Sequence, residues 1–260
     1  MKKIIFYAEC FLLAFFFISY CSAQTVEDLI AKGDTLTDEF KDKDALNTYL
    51  IADSLFPGNW EVNWRISRAL TDLANHMPAE TGDQKDLQLD QYQKALDYAD
   101  RSVRLAPNES VTYVRRAIAN GKIALFKGVF SVAGVVNKVK DDCEKAIKIN
   151  KGDAYDIALA HYVLGRTHAK VSEKWAPARA ILGLGWADLE TGIKEYKKAI
   201  ELYPNFRMFY LDLAKAYIED DNYTDARKNL EKVISSPVKY EDDNDYLVEA
   251  KKLLDEIKDE

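Results

Sequence analysis

The chain has 260 residues, of which 48% are hydrophobic and 30% are charged, enough for a sizeable core in one elongated domain. Its 43 acidic and 36 basic residues give a net charge of −7, which disfavours nonspecific binding to nucleic acid. Cys10 and Cys21 lie within the first 23 residues, so only Cys143 remains in the rest of the chain. An internal disulfide is therefore excluded there.

Residues 1–23 have the pattern of a signal peptide: two lysines, an apolar stretch and small residues at a cleavage site. The pattern predicts an exported protein, periplasmic or secreted. A lipoprotein acylated on Cys21 is the less favoured alternative, because the bulky Tyr20 precedes that cysteine. No stretch of residues 24–260 is long and apolar enough to predict a transmembrane segment.

A second pattern recurs along the chain. It begins with a small residue, which is followed four positions later by an aromatic, aliphatic or small residue. Another small residue comes three positions after that, and a proline five positions further on. Its instances are Ala45, Tyr49, Ala52, Pro57; Ala95, Ala99, Ser102, Pro107; and Gly192, Tyr196, Ala199, Pro204. This spacing is typical of the second helix of a tetratricopeptide unit, whose small residues let paired helices approach closely. We therefore predict an all-α, tetratricopeptide-like helical repeat superhelix over residues 24–260. Its elongated helices form units ending near residues 58, 108, 152, 205 and 238, and a capping helix follows at 244–258.

Three of these units exceed the bare repeat period, so they contain insertions. Residues 75–90 are polar and predict a surface loop. Residues 121–138 and 175–189 are apolar and glycine-containing, and their candidate binding residues are Phe126, Phe130, Trp175 and Trp186. Packing into the core is the favoured interpretation of these apolar insertions, and an exposed ligand, partner or homo-oligomer surface is the alternative.

The first helices of such units line the concave face of the superhelix. At positions five, six and nine they carry Trp64, Arg65, Arg68, Arg115, Tyr162, Arg166, Leu211 and Lys215. Because a guanidinium binds a carboxylate in a bidentate manner, we expect a groove for a peptide segment that carries an acidic group. The competing interpretation is that these cations pair with neighbouring Asp and Glu residues.

Catalytic chemistry has little support in the sequence. His161 and His168 are seven residues apart on one helix, too far to bind one ion, and His76 lies beside Pro78 without an obvious partner. Cys143 occupies a core position, where a thiol is inert. We predict a protein that is not an enzyme and that has no cofactor and no metal.

Residues 111–257 resemble the regulator of microtubule dynamics family and its exported bacterial relatives. The resemblance is carried by RRAIANGKIALFKG, VKDDCEKAIKIN, AHYVLGRTHAKVSEKW and GIKEYKKAIELYPNF, in that order. Its most specific segment is LGRTHAKV, where Thr167 replaces the tryptophan that is usual in the family. The resemblance implies a helical repeat adaptor. Microtubule association belongs to eukaryotic members and is not transferred here, since an exported protein would meet no microtubules.

The predicted function is a noncatalytic scaffold or adaptor in the cell envelope, binding a protein or peptide partner in its concave groove. The alternative is a small-molecule or lipid binding accessory protein that uses the apolar insertions. A closed apolar cavity with Trp175 and Trp186 at its mouth would favour the alternative. An open, polar groove would favour the adaptor.

Overall fold

The computed structural model describes residues 24–260, so the predicted signal peptide and Cys21 lie outside the described residues. Within that range the chain forms twelve α-helices and one 3-10 helix, Val129–Val132, and no strand. The α-helices are α1 Val26–Asp38, α2 Asp42–Leu55, α3 Trp60–Asn75, α4 Gly82–Leu105, α5 Ser110–Lys127, α6 Ala133–Ile149, α7 Ala154–Ser172, α8 Ala176–Ile181, α9 Leu189–Leu202, α10 Arg207–Glu219, α11 Tyr223–Ser235 and α12 Asp243–Glu256.

The helices pack as successive pairs. The pairs are α1 with α2, α3 with α4, α5 with α6, α7 with α9 and α10 with α11, and α12 packs on both helices of the last pair. The first helices α3, α5, α7 and α10 also contact one another in order, so the pairs stack into a superhelix. The predicted all-α tetratricopeptide-like fold is confirmed.

Small residues explain why the paired helices come so close. Ala45, Ala52 and Ala199 are fully buried at helix contacts. A Cβ atom added to Gly165 in α7 would lie 2.9 Å from the carbonyl oxygen of Gly192 in α9, closer than real Cβ contacts allow. Any larger side chain at either glycine would force these two helices apart.

The first insertion differs from its prediction as a loop. Most of residues 75–90 form the beginning of α4, which extends for 24 residues. Thr81 caps this helix: its hydroxyl accepts from the Gln84 backbone nitrogen, and the Gln84 side chain accepts from that of Thr81. This capping box was not recognised in the sequence, although its Thr-x-x-Gln pattern signals a helix start.

The described chain has no helix with the length and apolar character needed to cross a bilayer.

Candidate functional site

A cavity of about 530 Å³ lies on the concave face, and we call it the chamber. Its wall comes from α3, α5, α6, α7, α10 and the region around α12. Apolar side chains cover part of the wall, among them Ile118, Val139, Leu159, Val163 and Leu211. Charged residues form much of the rest: the cations Arg68, Arg115, Lys122, Arg166, Lys170 and Lys215, and the acids Asp72, Asp212, Asp242, Asp245 and Glu249.

Most of the chamber cations belong to ion pairs that join one first helix to the next, a set that we call the ion-pair ladder. At its first step, Asp34 of α1 accepts hydrogen bonds from Arg65 Nε at 2.9 Å and from Arg68 Nη2 at 3.2 Å. Burial opposes the effect, yet hydrogen bonds from Arg65 and Tyr49 lower the pKa of Asp34. The ladder thus ties α1 to α3.

Two further steps join the middle of the superhelix. Arg115 of α5 donates to Asp156 of α7 at 3.2 Å, and both residues are buried. Arg166 of α7 lies 3.3 Å from Asp212 of α10 and donates at 2.7 Å to the hydroxyl of Tyr162, which in turn donates to Asp212. These cations serve helix packing, because each already contacts a carboxylate of the chain.

The last step reaches the capping helix. Lys215 Nζ of α10 lies 2.8 Å from Glu249 of α12 and 3.4 Å from Asp212. Trp64, at the other end, lies under the guanidinium groups of Arg65, Arg68 and Arg115, with centroid distances of 4.1, 5.2 and 5.3 Å. That ring packs among three arginines and is not part of the chamber wall.

Between α3 and α5 the ladder has no step, and two charges there lack a partner. Within residues 24–260, neither Asp72 of α3 nor Lys122 of α5 has an oppositely charged group within 4.0 Å. Burial raises the pKa of Asp72 to about 6. Burial and the positive charge of Arg166 lower the pKa of Lys122. The chamber therefore presents one carboxyl and one ammonium group whose charges the protein itself compensates poorly.

At one edge of the chamber, segments that are far apart in sequence meet at what we call the seam. His76 Nε2, just after α3, donates to Asp242 Oδ1 at 2.9 Å, in the segment before α12. His76 Nδ1 lies 3.9 Å from Glu241, and Asp42 of α2 is close by. The hydrogen bond to Asp242 raises the pKa of His76 despite partial burial. The seam brings the second unit against the end of the fifth.

The two apolar insertions pack against each other. Leu184 and Ala187 form a cluster with Val136 and Val171, and all four are buried. Trp186 borders this cluster, donates from Nε1 to Asn137 at 2.8 Å and lies edge-on to His168 at 4.9 Å between centroids. The insertions are thus core on one side.

Their other side is exposed. Trp175 is 72% exposed and Phe130 is 40% exposed, whereas Phe126 is half-buried. Neither Trp175 nor Trp186 lines the chamber. Two tryptophans at the mouth of a cavity would have favoured the ligand-binding alternative. The structure does not show that arrangement.

The remaining nucleophile and histidines have packing roles. Cys143 is fully buried, and burial raises the pKa of its thiol. His168 is buried as well, which lowers its pKa. His161 Nδ1 contacts Glu195 at 2.6 Å. None of Cys143, His161 and His168 is among the described residues that line the chamber.

Six of the eight predicted groove residues line the chamber: Arg68, Arg115, Tyr162, Arg166, Leu211 and Lys215. Trp64 and Arg65 do not. The sequence reasoning missed Asp72 and Lys122, which stand at position thirteen of their units, four residues after position nine. Because residues four apart share a helix face, extending the pattern by one turn would have found them.

Comparisons with known proteins agree with this architecture. A family model described as regulator of microtubule dynamics protein 1-3 matches residues 29–258. Regulator of microtubule dynamics protein 1 of Mus musculus is 26% identical over 235 residues, 88% of this chain and 74% of that protein. Its Rattus norvegicus counterpart is 27% identical over 74% of this chain, but the match spans only 61% of the rat protein.

Among solved structures, a thermophilic tetratricopeptide protein of Thermus thermophilus superposes with a TM-score of 0.62 at 17% identity. The match covers 88% of this chain and 99% of that one, and it shows the fold alone. The fold defines the class of the protein, an all-α tetratricopeptide-like repeat protein. Within that class, the chain belongs to the regulator of microtubule dynamics protein 1-3 family.

The predicted location is wrong. We expected export to the periplasm or beyond, with lipidation on Cys21 as the alternative. The curated relatives come from mouse, rat and cow, whose cells have no periplasm, and they are named for microtubules, which are polymers of the cell interior. The apolar pattern of residues 1–23 therefore does not support the export that we inferred from it.

Proposed function

We propose that the protein is a noncatalytic scaffold whose chamber binds a partner segment through an acidic side chain that contacts Lys122. The observation that carries this proposal is the missing step of the ion-pair ladder. Arg68, Arg115, Arg166 and Lys215 already contact carboxylates of the chain, whereas Lys122 does not. An incoming carboxylate would compensate the ammonium charge in a partly desolvated site, where such a contact is strong.

The apolar part of the wall supports the same occupant. Val139, Leu159, Val163 and Leu211 line the chamber beside these charges. A segment that combines an acidic residue with an aliphatic neighbour would satisfy both parts of the wall. Asp72 adds selectivity, because its negative charge opposes a second acidic group on the same segment.

The test is selection from a displayed library of random peptides. We expect wild-type protein to enrich peptides that pair Asp or Glu with aliphatic residues. Lys122→Met keeps the length and apolar stem of the side chain and removes the charge, so the acidic preference should disappear. Lys148→Met is the matched control, since Lys148 is an exposed residue of α6 that does not line the chamber. Equal acidic enrichment by the Lys122→Met variant would refute the proposal.

The names of the relatives supply one partner to test directly. With the export prediction overturned, our reason for setting microtubules aside no longer holds. In co-sedimentation with polymerised tubulin, the wild-type protein and the Lys148→Met variant should pellet with the polymer. A smaller fraction of the Lys122→Met variant should pellet. Equal pelleting of all three proteins would place any such binding away from the chamber.

A small-molecule or lipid ligand is the second candidate function. The volume of the chamber, about 530 Å³, falls within the range of about 300–1,000 Å³ that is typical of small-molecule sites. Native mass spectrometry of the purified chain distinguishes the two candidates. A stoichiometric small ligand that Lys122→Met loses would favour this second function over the peptide scaffold.

A further inference from the structure

The seam places metal-binding side chains from three separate segments at one point. Asp42 lies in the first turn of α2, His76 follows α3, and Glu241 lies in the segment between α11 and α12. One oxygen or nitrogen ligand atom from each of the three lies within 4.8 Å of the others. The sequence could not indicate this cluster, because His76 and Glu241 are separated by most of the repeat array.

The geometry of His76 is that of a metal ligand with an outer-shell partner. Its Nε2 donates to Asp242 Oδ1 at 2.9 Å, which leaves Nδ1 facing Glu241 Oε2 at 3.9 Å. In metal sites, a coordinating histidine donates its other ring N–H to a carboxylate, which fixes the tautomer and orients the ring. Asp242 has that position relative to His76.

The three ligand atoms lie within 4.8 Å of one another, so they would have to move closer together to hold an ion. A tetrahedral zinc ion with ligands at about 2.0–2.1 Å separates them by about 3.4 Å. The distance of 3.9 Å between Nδ1 and Oε2 would have to contract by about half an ångström. The side chains of His76 and Glu241 are 41% and 47% exposed, so they are free to move by that amount.

The charge balance at the seam also calls for a cation. Asp42, Glu241 and Asp242 bring three carboxylates to a single imidazole. Over residues 24–260, no lysine or arginine lies within 4.0 Å of any of the three. Glu241 and Asp242 both lie near His76, and Asp242 also accepts a hydrogen bond from the Tyr246 hydroxyl at 3.3 Å. A divalent cation placed between these carboxylates would offset their mutual repulsion.

We propose that Asp42, His76 Nδ1 and Glu241 bind a divalent transition-metal ion of the zinc class, with Asp242 orienting His76 and water completing the coordination. One nitrogen and two oxygen ligands suit Zn²⁺, and imidazole distinguishes the site from one for Mg²⁺ or Ca²⁺. The ion joins the first and second units to the end of the fifth and closes the edge of the chamber. It has a linking role, distinct from any peptide bound at Lys122.

The test titrates Zn²⁺ into the full chain in competition with a chromophoric chelator. We expect one equivalent to bind, and Co²⁺ at the same site should give visible d–d absorption bands that Zn²⁺ displaces. His76→Ala should abolish binding. Asp242→Asn, which alters only the outer-shell partner, should weaken binding by about 10–100-fold.

The control is His161→Ala. His161 contacts one carboxylate, Glu195, between α7 and α9, so it tests whether a histidine–carboxylate pair elsewhere captures the metal. Zinc binding by this variant should equal that of the wild type. Binding that survives His76→Ala, or that is lost equally in His161→Ala, would overturn the proposal, and so would the absence of binding by the wild-type chain. Because His76 is exposed, circular dichroism should show the same helix content in each seam variant and in the wild type.

Discussion

The ion-pair ladder and the two apolar insertions were both candidates for binding a partner, and the structure uses them in opposite ways. The ladder residues recur at fixed positions of the repeat, and they pair with acids of a neighbouring first helix or of the capping helix. The apolar insertions lie outside the repeat pattern, and their apolar residues pack on each other. A feature that repeats in step with the units tends to hold those units together. Binding functions are better sought where the repetition fails, as it does at Asp72 and Lys122.

Breaking the most buried step of the ladder gives the largest expected effect. Arg115 and Asp156 are 7% and 8% exposed, so Arg115→Met would leave a buried carboxylate without its cation. We expect a loss of about 3–5 kcal/mol in the free energy of unfolding, measured by urea denaturation. Lys215→Met, at the exposed last step, should cost less than about 1 kcal/mol.

The double variant Arg115→Met, Asp156→Asn separates the two contributions, because it also removes the stranded charge. It should lose less stability than Arg115→Met alone. Equal losses at Arg115 and Lys215 would contradict the view that burial determines what each ladder step contributes.

A second prediction distinguishes the two sides of the insertions. Leu184 is fully buried and Ile181, three residues earlier, is 85% exposed. Leu184→Ala should reduce the free energy of unfolding by about 2–5 kcal/mol, because it removes a packed side chain and leaves a cavity. Ile181→Ala should change it by less than about 0.5 kcal/mol. Similar losses from both variants would show that the exposed side is also packed in solution.

The smallest expected effect concerns the missing ladder step. The pKa of Asp72 is raised from 3.8 to about 6 in the folded state. Between these two pH values, the folded state keeps a proton on Asp72 that the unfolded chain has released. Stability therefore falls as the pH rises from about 4 to 6, and the loss is complete above that range. Each pKa unit corresponds to about 1.4 kcal/mol, so the full rise corresponds to about 3 kcal/mol. Because Asp72 is partly exposed and solvent screens its charge, Asp72→Asn should stabilise the protein by about 2 kcal/mol at pH 7.5.

Near pH 3 the variant and the wild type should unfold at almost the same urea concentration, since Asp72 is then largely protonated in both states. A constant difference between pH 3 and pH 7.5 would show that the asparagine acts through packing. Asp245→Asn is the matched control: Asp245 is an exposed chamber acid, and its substitution should leave the pH dependence unchanged.

The sequence was sufficient for the fold because its signals are local. Ala45, Ala52, Ala95 and Ala99, which defined the repeat, are all fully buried. The same spacing identified six chamber residues, because the position of a residue in its unit determines the face it occupies. It could not identify their partners. Asp156 and Asp212 lie 41 and 46 residues from the arginines that they contact, and no pattern within one unit specifies such pairs.

The seam could not be predicted from the sequence for the same reason, because its residues lie even further apart along the chain. His76 and Asp242 are separated by 166 residues, and their contact depends on the accumulated rotation of every intervening unit. A small change in the angle between any two pairs would separate them. The location failed differently: an apolar N-terminal stretch was interpreted as a cleavable signal, and relatives in three mammals contradict the export inferred from it.

Closure at the seam also bears on how the chain folds. An array whose units touch only their neighbours behaves as a one-dimensional system, in which end units fray independently and folding spreads from any nucleus. The contact between His76 and Asp242 adds a restraint of high sequence separation. Making this contact costs the chain loop-closure entropy, which is lost late in folding. Other contacts offset that loss only when the intervening units are in place. Loss of the fifth unit would then release the second, so the second and fifth units should unfold as one cooperative block.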